Sequence, residues 1–408
     1  MDNYGSNYRW YILILAALTF TFGVAMPWMC MPVLFQEISE DLNLSLVQIG
    51  AVWGMIPLGG LFFILIGGML GDRFGVERFL CVTCLIGGLV GAARGLSTNF
   101  ITLAVTMFLF GIPVAIIPAV VHKTASICFP GRGLAQGIVT LGMALGFMMG
   151  AMISATILSP LLGGWRIVMF LYGGMSIVIS ILWLLTFSKP VQIESSVDHV
   201  TTVPLRQALS RVVRYKSVWL LGFIMLCHIG CIQGLLGFLP LYLRGIGWTA
   251  AGADGTSTAF HGASMIASIP IALLSDKLGS RKGPILVALL VHAISVGVLS
   301  LSSGVMVWAV MIIAGIFRDG FVAVFMATTI ETKGVGAAYA GTALGLALTV
   351  ARLGDIISPL IGNSLATINP SFAFVFWAAL AAVGLVCSYF LKETGWRSKN
   401  SLEEQKSS

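Results

Sequence analysis

Two dyads of opposite charge lie inside long apolar runs: Arg318 beside Asp319, and Arg352 three residues before Asp355. Arginine holds a carboxylate by two parallel hydrogen bonds. A carboxylate next to it is both its counter-ion and a group that can take up a proton when the arginine is engaged elsewhere. The chemistry this pattern allows is binding of a small anion in exchange for an internal carboxylate, with a proton as its partner. Arg352 and Asp355 fall one turn apart on one helix face, whereas 318 and 319 point about 100° apart. The same four residues also fit a static network of cross-helix salt bridges, and both readings stay open at this level. His228 and Gln233, and His261 with Ser264 and Ser268, are further polar groups in apolar surroundings, each also readable as a hydrogen bond between packed helices.

Other chemistries find no residues to carry them. Cys81 and Cys84 have metal or redox spacing but no second Cys or His pair near them in sequence. The seven cysteines are scattered through apolar runs, where Cys packs as a small hydrophobe, so no disulfide framework is expected. There is no H-E-x-x-H, no Gly-rich phosphate loop and no Ser/His/Asp grouping of familiar spacing. The expectation is therefore no enzyme, no catalytic residue, no metal and no cofactor.

The elements that must position these groups follow from composition. A chain of 408 residues that is 58% hydrophobic and 10% charged, with a mean hydropathy of +0.97, cannot hide its apolar side chains inside one water-soluble globule. Crossing about 30 Å of hydrocarbon takes about 20 apolar residues in a helix that satisfies its own backbone. Twelve such spans are expected, at about 10–34, 47–70, 79–97, 100–121, 134–160, 166–187, 218–242, 256–274, 284–302, 305–328, 337–362 and 371–391. The first runs through Pro27 and Pro32 without a small-residue cleavage site, so it reads as a retained helix. With the N-terminus in the cytoplasm, 18 of the 23 Lys and Arg fall on the cytoplasmic side and two, Arg166 and Arg244, outside. Arg94, Arg318 and Arg352 remain within spans, where a charge costs roughly 2.5 to 3.5 kcal/mol on insertion scales. The net charge of +7 is thus a signal of topology and not of nucleic-acid binding.

The chain repeats itself at a constant offset of 204 residues. Asp72, Arg73, Gly75 and Arg78 recur as Asp276, Lys277, Gly279 and Lys282, Gly111-Ile112 as Gly315-Ile316, and Gly137 as Gly341. Two pseudo-symmetric six-helix bundles follow, 1–187 and 218–396, with a polar linker at 188–217 and a cytoplasmic tail at 397–408. In the linker, Leu205, Leu209, Val212 and Val213 alternate with Arg206, Arg211, Arg214 and Lys216 as an amphipathic helix suited to a membrane surface. At the same offset, the four membrane charges correspond to Val114, Ala115, Met148 and Ala151, so the charged cluster belongs to the C-terminal half alone.

The stretch Gly68-Met69-Leu70-Gly71-Asp72-Arg73-Phe74-Gly75-Val76-Glu77-Arg78 resembles the G-x-L-x-D-R-x-G-x-x-R loop of the major facilitator superfamily (MFS), and the resemblance extends over the whole chain through topology, repeat and linker. It implies an all-α integral membrane fold of two bundles, a gating role for Asp72, Arg73, Arg78, Asp276 and Lys277, and substrate binding near the bilayer midplane between the halves. Topology anchoring alone is the other reading of the loop. Gly137, Gly146 and Gly150 resemble the start of the family's antiporter signature, which then breaks at Ala151, Ser154 and Ala155. Antiport is not carried over; Gly137, Gly142, Gly146 and Gly150 read as a smooth packing face. The fourth span lacks the family's frequent arginine, with Met107 in its place, and Gly164-Trp165-Arg166 resembles a structural feature before the sixth span. The resemblance puts the tenth and eleventh spans beside the central cavity and His292 on a peripheral helix. Arg94, near the outer end of the third span, reads equally as a snorkelling side chain.

The expected protein is a monomeric secondary transporter in the cell membrane, both termini cytoplasmic, working by alternating access on a small organic anion or carboxylate with a proton as coupling ion. Efflux of drug-like or cationic compounds is the alternative within transport, and a membrane receptor or scaffold is the alternative outside it.

Overall fold

Long apolar runs satisfy their backbone in lipid only as helices, and residues 6–63, 75–129, 133–186, 205–332 and 334–395, described in a computed structural model of the chain, contain helices and no strand. The membrane helices are α1 (Asn7–Leu42), α2 (Leu46–Leu61), α3 (Val76–Leu96), α4 (Phe100–Cys128), α5 (Gly133–Leu162), α6 (Trp165–Leu185), α7 (Lys216–Gly245), α8 (Ala250–Leu278), α9 (Lys282–Leu299), α10 (Val305–Glu331), α11 (Gly336–Ala366) and α12 (Pro370–Tyr389). All but α2 are long and apolar enough to cross a bilayer. The expected continuation of α2, with Asp72 and Arg73, lies at 64–74 outside the described residues. Several helices outrun the expected spans, α7 reaching 30 residues. A helix does not stop where hydrocarbon does; it stops at its cap.

The caps are local and legible. Ser45 and Gln48 close a capping box at the start of α2, and Asn99 and Thr102 do the same for α4. Asn369 accepts from the Ser371 N–H to begin α12. Exposed apolar stripes, such as Val82, Ile86 and Leu89 on α3 and Ile101, Val105 and Leu109 on α4, mark helix faces that need lipid as their solvent.

The described chain forms two compact units, 1–194 with 237–261, and 195–236 with 262–408. Segment 237–261, which the repeat places in the C-terminal half, thus groups with the first unit. Within that unit α5 packs on α1 through glycines. A Cβ on Gly146 would stand 2.6 Å from Ala25 Cβ, and one on Gly142 2.5 Å from the Ala17 carbonyl oxygen; Gly150 abuts Met26. Gly137, assigned to the same face in the sequence, is not on it, because a Cβ there would meet nothing within 4 Å. Two π-helical turns interrupt these partners, Thr19–Ala25 in α1 and Ser154–Leu158 in α5. In the second, Ser154 Oγ bonds to the Gly150 carbonyl (2.5 Å) and lies 2.6 Å from Tyr172 Oη on α6.

In the second unit the short helix Leu205–Val212 docks through Ala208 and Val212, both buried, while Leu209 and Val213 stay exposed. Arg211 anchors it by donating to Tyr215 Oη (3.2 Å) and Tyr339 Oη (3.1 Å).

Candidate functional site

The second unit brings α7 and α11 together by close backbone approach. A Cβ on Gly354 would run into the Leu226 carbonyl, and one on Gly230 would sit 3.2 Å from Ser358 Cβ and 3.3 Å from Gly354 Cα. Ser358 Oγ then donates to the Gly230 carbonyl at 2.6 Å. This crossing turns the next residue after Gly354, Asp355, into the interior. On the other side of α10, Gly320 lies against Ile271 of α8, and Ser264 Oγ accepts from the Asp319 N–H (3.2 Å).

Each of the four membrane charges has an ion partner on its own helix. Arg318 Nη1 stands 2.8 Å from Asp319 Oδ1, and Arg352 Nη1 2.8 Å from Asp355 Oδ2. Where the sequence left cross-helix pairs open, these two ion pairs close within α10 and within α11. An arginine side chain is long enough to fold back over its neighbour, and the one-turn spacing of 352 and 355 needs no second helix. The two arginines keep 24% and 26% of their side chains accessible, Asp319 keeps 30%, and Asp355 only 4%. The guanidiniums are thus paired yet reachable, while Asp355 is held inside. Arg318 also acts electrostatically on Asp355, His228 and His292, so one field links α10 to α7, α9 and α11.

The remaining sequence-selected residues separate. Gln233 is buried on α7 in the second unit. His261 belongs to the first unit, where it packs on Phe147 (ring centroids 5.4 Å) and Phe260 (5.4 Å); Phe147 in turn meets Trp28 edge-on at 6.0 Å. His228 lies with the charges. Of the gating set, Asp72 and Arg73 lie outside the described residues, and Arg78, Asp276 and Lys277 are exposed. Met107, at the position of the missing arginine, is fully buried.

Sequence reasoning missed four features. Arg244 and Asp254, at the facing ends of α7 and α8, form a buried ion pair of 2.5 Å to which Thr156 of the α5 π-turn adds a hydrogen bond (3.0 Å). Their ten-residue separation across a turn was the available signal. Arg281 bonds Asp276 (2.6 Å) and Glu331 (2.9 Å), and Glu393 accepts from Ser280 Oγ (2.6 Å) and the Arg281 N–H (2.7 Å), so the loop after α8 is tied to the ends of α10 and α12. Hydrogen bonds from Ser280 and the main chain outweigh burial and hold the Glu393 carboxyl below its ordinary value. Arg94 does not snorkel: it is fully buried, donates to the Pro27 (2.7 Å) and Gly91 (3.1 Å) carbonyls and lies over the Phe110 ring at 4.1 Å. Finally, His292, expected on a peripheral helix, is buried beside His228. A small cavity of about 30 Å³, lined by residues such as Thr124, Cys128 and Trp183, holds none of the selected groups and has room for about one water.

A twelve-helix membrane fold of two repeated halves, with paired charges held inside the bundle, is the architecture of secondary transporters. The family profile of the Major Facilitator Superfamily matches residues 12–359 and 256–408, and the chain belongs to that superfamily. It is 24% identical over 341 residues to the 3-(3-hydroxy-phenyl)propionate transporter of Escherichia coli K12, covering 80% of each chain. It is 23% identical over 383 residues to a probable sulfoacetate transporter, SauU, of Cupriavidus necator, covering 87% of each. Among solved structures, a bacterial homologue of the human lysosomal transporter Spinster, inward-facing and unoccupied, superposes with a TM-score of 0.79 at 17% identity over 95% of this chain and 97% of that one. Family and fold are those of transporters.

Proposed function

We propose that the protein is a secondary active transporter that moves an organic anion, a carboxylate, across the cell membrane together with a proton, as a monomer working by alternating access. The observation that carries this reading is the pairing of Arg318 and Arg352, each with a carboxylate of its own helix and each about a quarter accessible. A substrate carboxylate presents the same two oxygens as Asp319 or Asp355 and replaces it on the guanidinium without leaving an arginine unpaired. Two Arg and two Asp sum to zero, so each bound anion leaves a net negative charge at bilayer depth, where charge is expensive. A proton taken up alongside removes it. The curated relatives support the substrate class, since the two named above are described as transporters of organic acids.

The test is uptake of radiolabelled carboxylates, beginning with 3-(3-hydroxyphenyl)propionate and sulfoacetate, into proteoliposomes with and without an inward proton gradient. Arg352→Ala is expected to lower uptake by roughly 10²-fold, the loss of a charged bidentate contact of about 3 kcal/mol. Uptake indifferent to Arg352→Ala and Arg318→Ala, or absent for every carboxylate in wild type, refutes the reading and turns the search to cationic solutes, for which Asp319 and Asp355 are the available counter-charges.

A further inference from the structure

His228 on α7 and His292 on α9 form a pair that anion binding does not use. Both lie in the second unit, 2% and 0% exposed, with ring centroids 4.9 Å apart and planes nearly perpendicular at 86°. Phe321 of α10 stacks flat on His228 at 3.8 Å. His292 Nδ1 lies 2.6 Å from the Ala288 carbonyl oxygen. A carbonyl only accepts, so Nδ1 carries the hydrogen and Nε2 of the neutral ring is left as a bare lone pair. By distance and angle neither that Nε2 nor His228 Nδ1 makes a hydrogen bond, though the Ala314 main chain of α10 also acts on the His292 ring. A buried polar atom left unsatisfied costs about 1–3 kcal/mol, so two of them in one ring pair are not explained by packing, which leucines would do better.

The surroundings are specific. From α10, Arg318 acts on both rings, with Asp319 as its ion partner. From α11 come Asp355 and its partner Arg352. Cys227 and Cys231 flank His228 on α7, and Cys387 of α12 stands near Cys227. Ser264 of α8 adds a hydroxyl at Asp319.

We infer that the His228–His292 pair is the seat of the co-transported proton, one proton held on a ring nitrogen of the pair, with Arg318 as the element that couples it to the anion. This rests on the proposed anion transport. With the site empty, the Arg318 charge opposes an imidazolium in this pair. A substrate carboxylate on Arg318 adds one negative charge to that neighbourhood, and the pair then accepts its proton. Proton and anion affinities rise together by the same factor, as linkage requires, roughly tenfold for a coupling of ordinary size. No bond other than N–H forms or breaks, and a monoanion such as 3-(3-hydroxyphenyl)propionate crosses with its proton as a neutral sum, whereas the dianion sulfoacetate keeps one negative charge.

The experiment separates coupling from transport. Proteoliposomes are assayed for equilibrium exchange of 3-(3-hydroxyphenyl)propionate, with sulfoacetate as second probe, and for accumulation driven by an inward proton gradient. In His228→Gln and His292→Gln the ratio of accumulation to exchange is expected to fall roughly tenfold. An unchanged ratio in both variants overturns the inference and leaves anion transport standing, as does a wild type that exchanges a probe but never accumulates it. Wild type that exchanges neither probe refutes the anion reading, and the inference falls with it. Should either variant fail to insert, ¹⁵N-imidazole NMR of wild type in nanodiscs decides. A buried histidine pair whose protonation midpoint moves to higher pH on adding the probe supports the assignment, and a pair that stays neutral throughout with the probe bound overturns it.

Discussion

Asp254→Asn will destabilise the first unit more than any single hydrogen bond in it accounts for. Arg244 and Asp254 keep only 7% and 1% of their side chains accessible, and their charged atoms are 2.5 Å apart. Replacing the carboxylate by an amide leaves the Arg244 guanidinium charged, buried and unopposed. Removing one partner of a buried pair costs about 3–5 kcal/mol. The lower end applies here, because Asp254 Oδ1 and Arg244 Nε have no partner even in the intact protein, so the pair begins incompletely satisfied. About 3 kcal/mol is the expected loss. Thr156→Val removes only the hydroxyl that donates to Asp254 Oδ2, a bond to a charged acceptor, and should cost about 1.5 kcal/mol. The double change Arg244→Leu with Asp254→Leu removes both charges and should recover most of the loss, since apolar replacement of a buried ion pair is commonly neutral or better. The assay is equilibrium unfolding of purified protein in mixed micelles of rising SDS fraction. A loss below about 1 kcal/mol for Asp254→Asn, or a double variant no more stable than the single, would show that the pair is hydrated and that its burial does not govern its energy.

Gly146→Val should cost about 3 kcal/mol or more in the same assay, because the added carbons meet Ala25 Cβ and the Thr21 backbone of α1, whereas Gly137→Ala should be neutral or slightly stabilising in its open surroundings. Glu393 supplies the pH test: its folded carboxyl is held below the ordinary value of about 4.3, so its contribution is fully present above that value and is lost as pH falls through the lower folded one. Glu393→Gln should remove that acid-sensitive part of the unfolding profile, and a profile of unchanged shape would refute it.

The fold was legible because its determinants are local or periodic. Apolar runs give helices, Ser45 and Asn99 give their starts, and a fixed offset gives two halves; none of these needs knowledge of tertiary contacts. Gly142, Gly146 and Gly150 were legible for the same reason, as a four-residue period of small side chains. What escaped is long-range. Thr156 reaches Asp254 across 98 residues of sequence, and Glu393 serves a loop more than a hundred residues before it. Arg94 was read by depth along its helix, but depth does not say which face a residue occupies, and Arg94 occupies the inward face of α3. The same ambiguity hid His292: a helix assigned to the periphery still has an inner side, and α9 presents that histidine there.

The asymmetry between the halves is the strongest constraint on how they divide the work. Where α10 and α11 carry Arg318, Asp319, Arg352 and Asp355, the corresponding positions of the first half are Val114, Ala115, Met148 and Ala151. The first unit is not featureless, for Trp28, Phe147 and His261 form a row of rings within it. The four charges of the proposed site therefore lie in the second unit, and this row of rings in the first. On the proposed reading, charge-dependent steps, anion capture and protonation, belong to the second unit alone. Substitutions at Trp28 or Phe147 should then leave the dependence on the proton gradient in place, while substitutions at Arg318 should alter that dependence for every carboxylate carried. A Phe147→Ala variant whose uptake lost its response to the gradient would contradict that division, because no titratable group of the second unit has been touched.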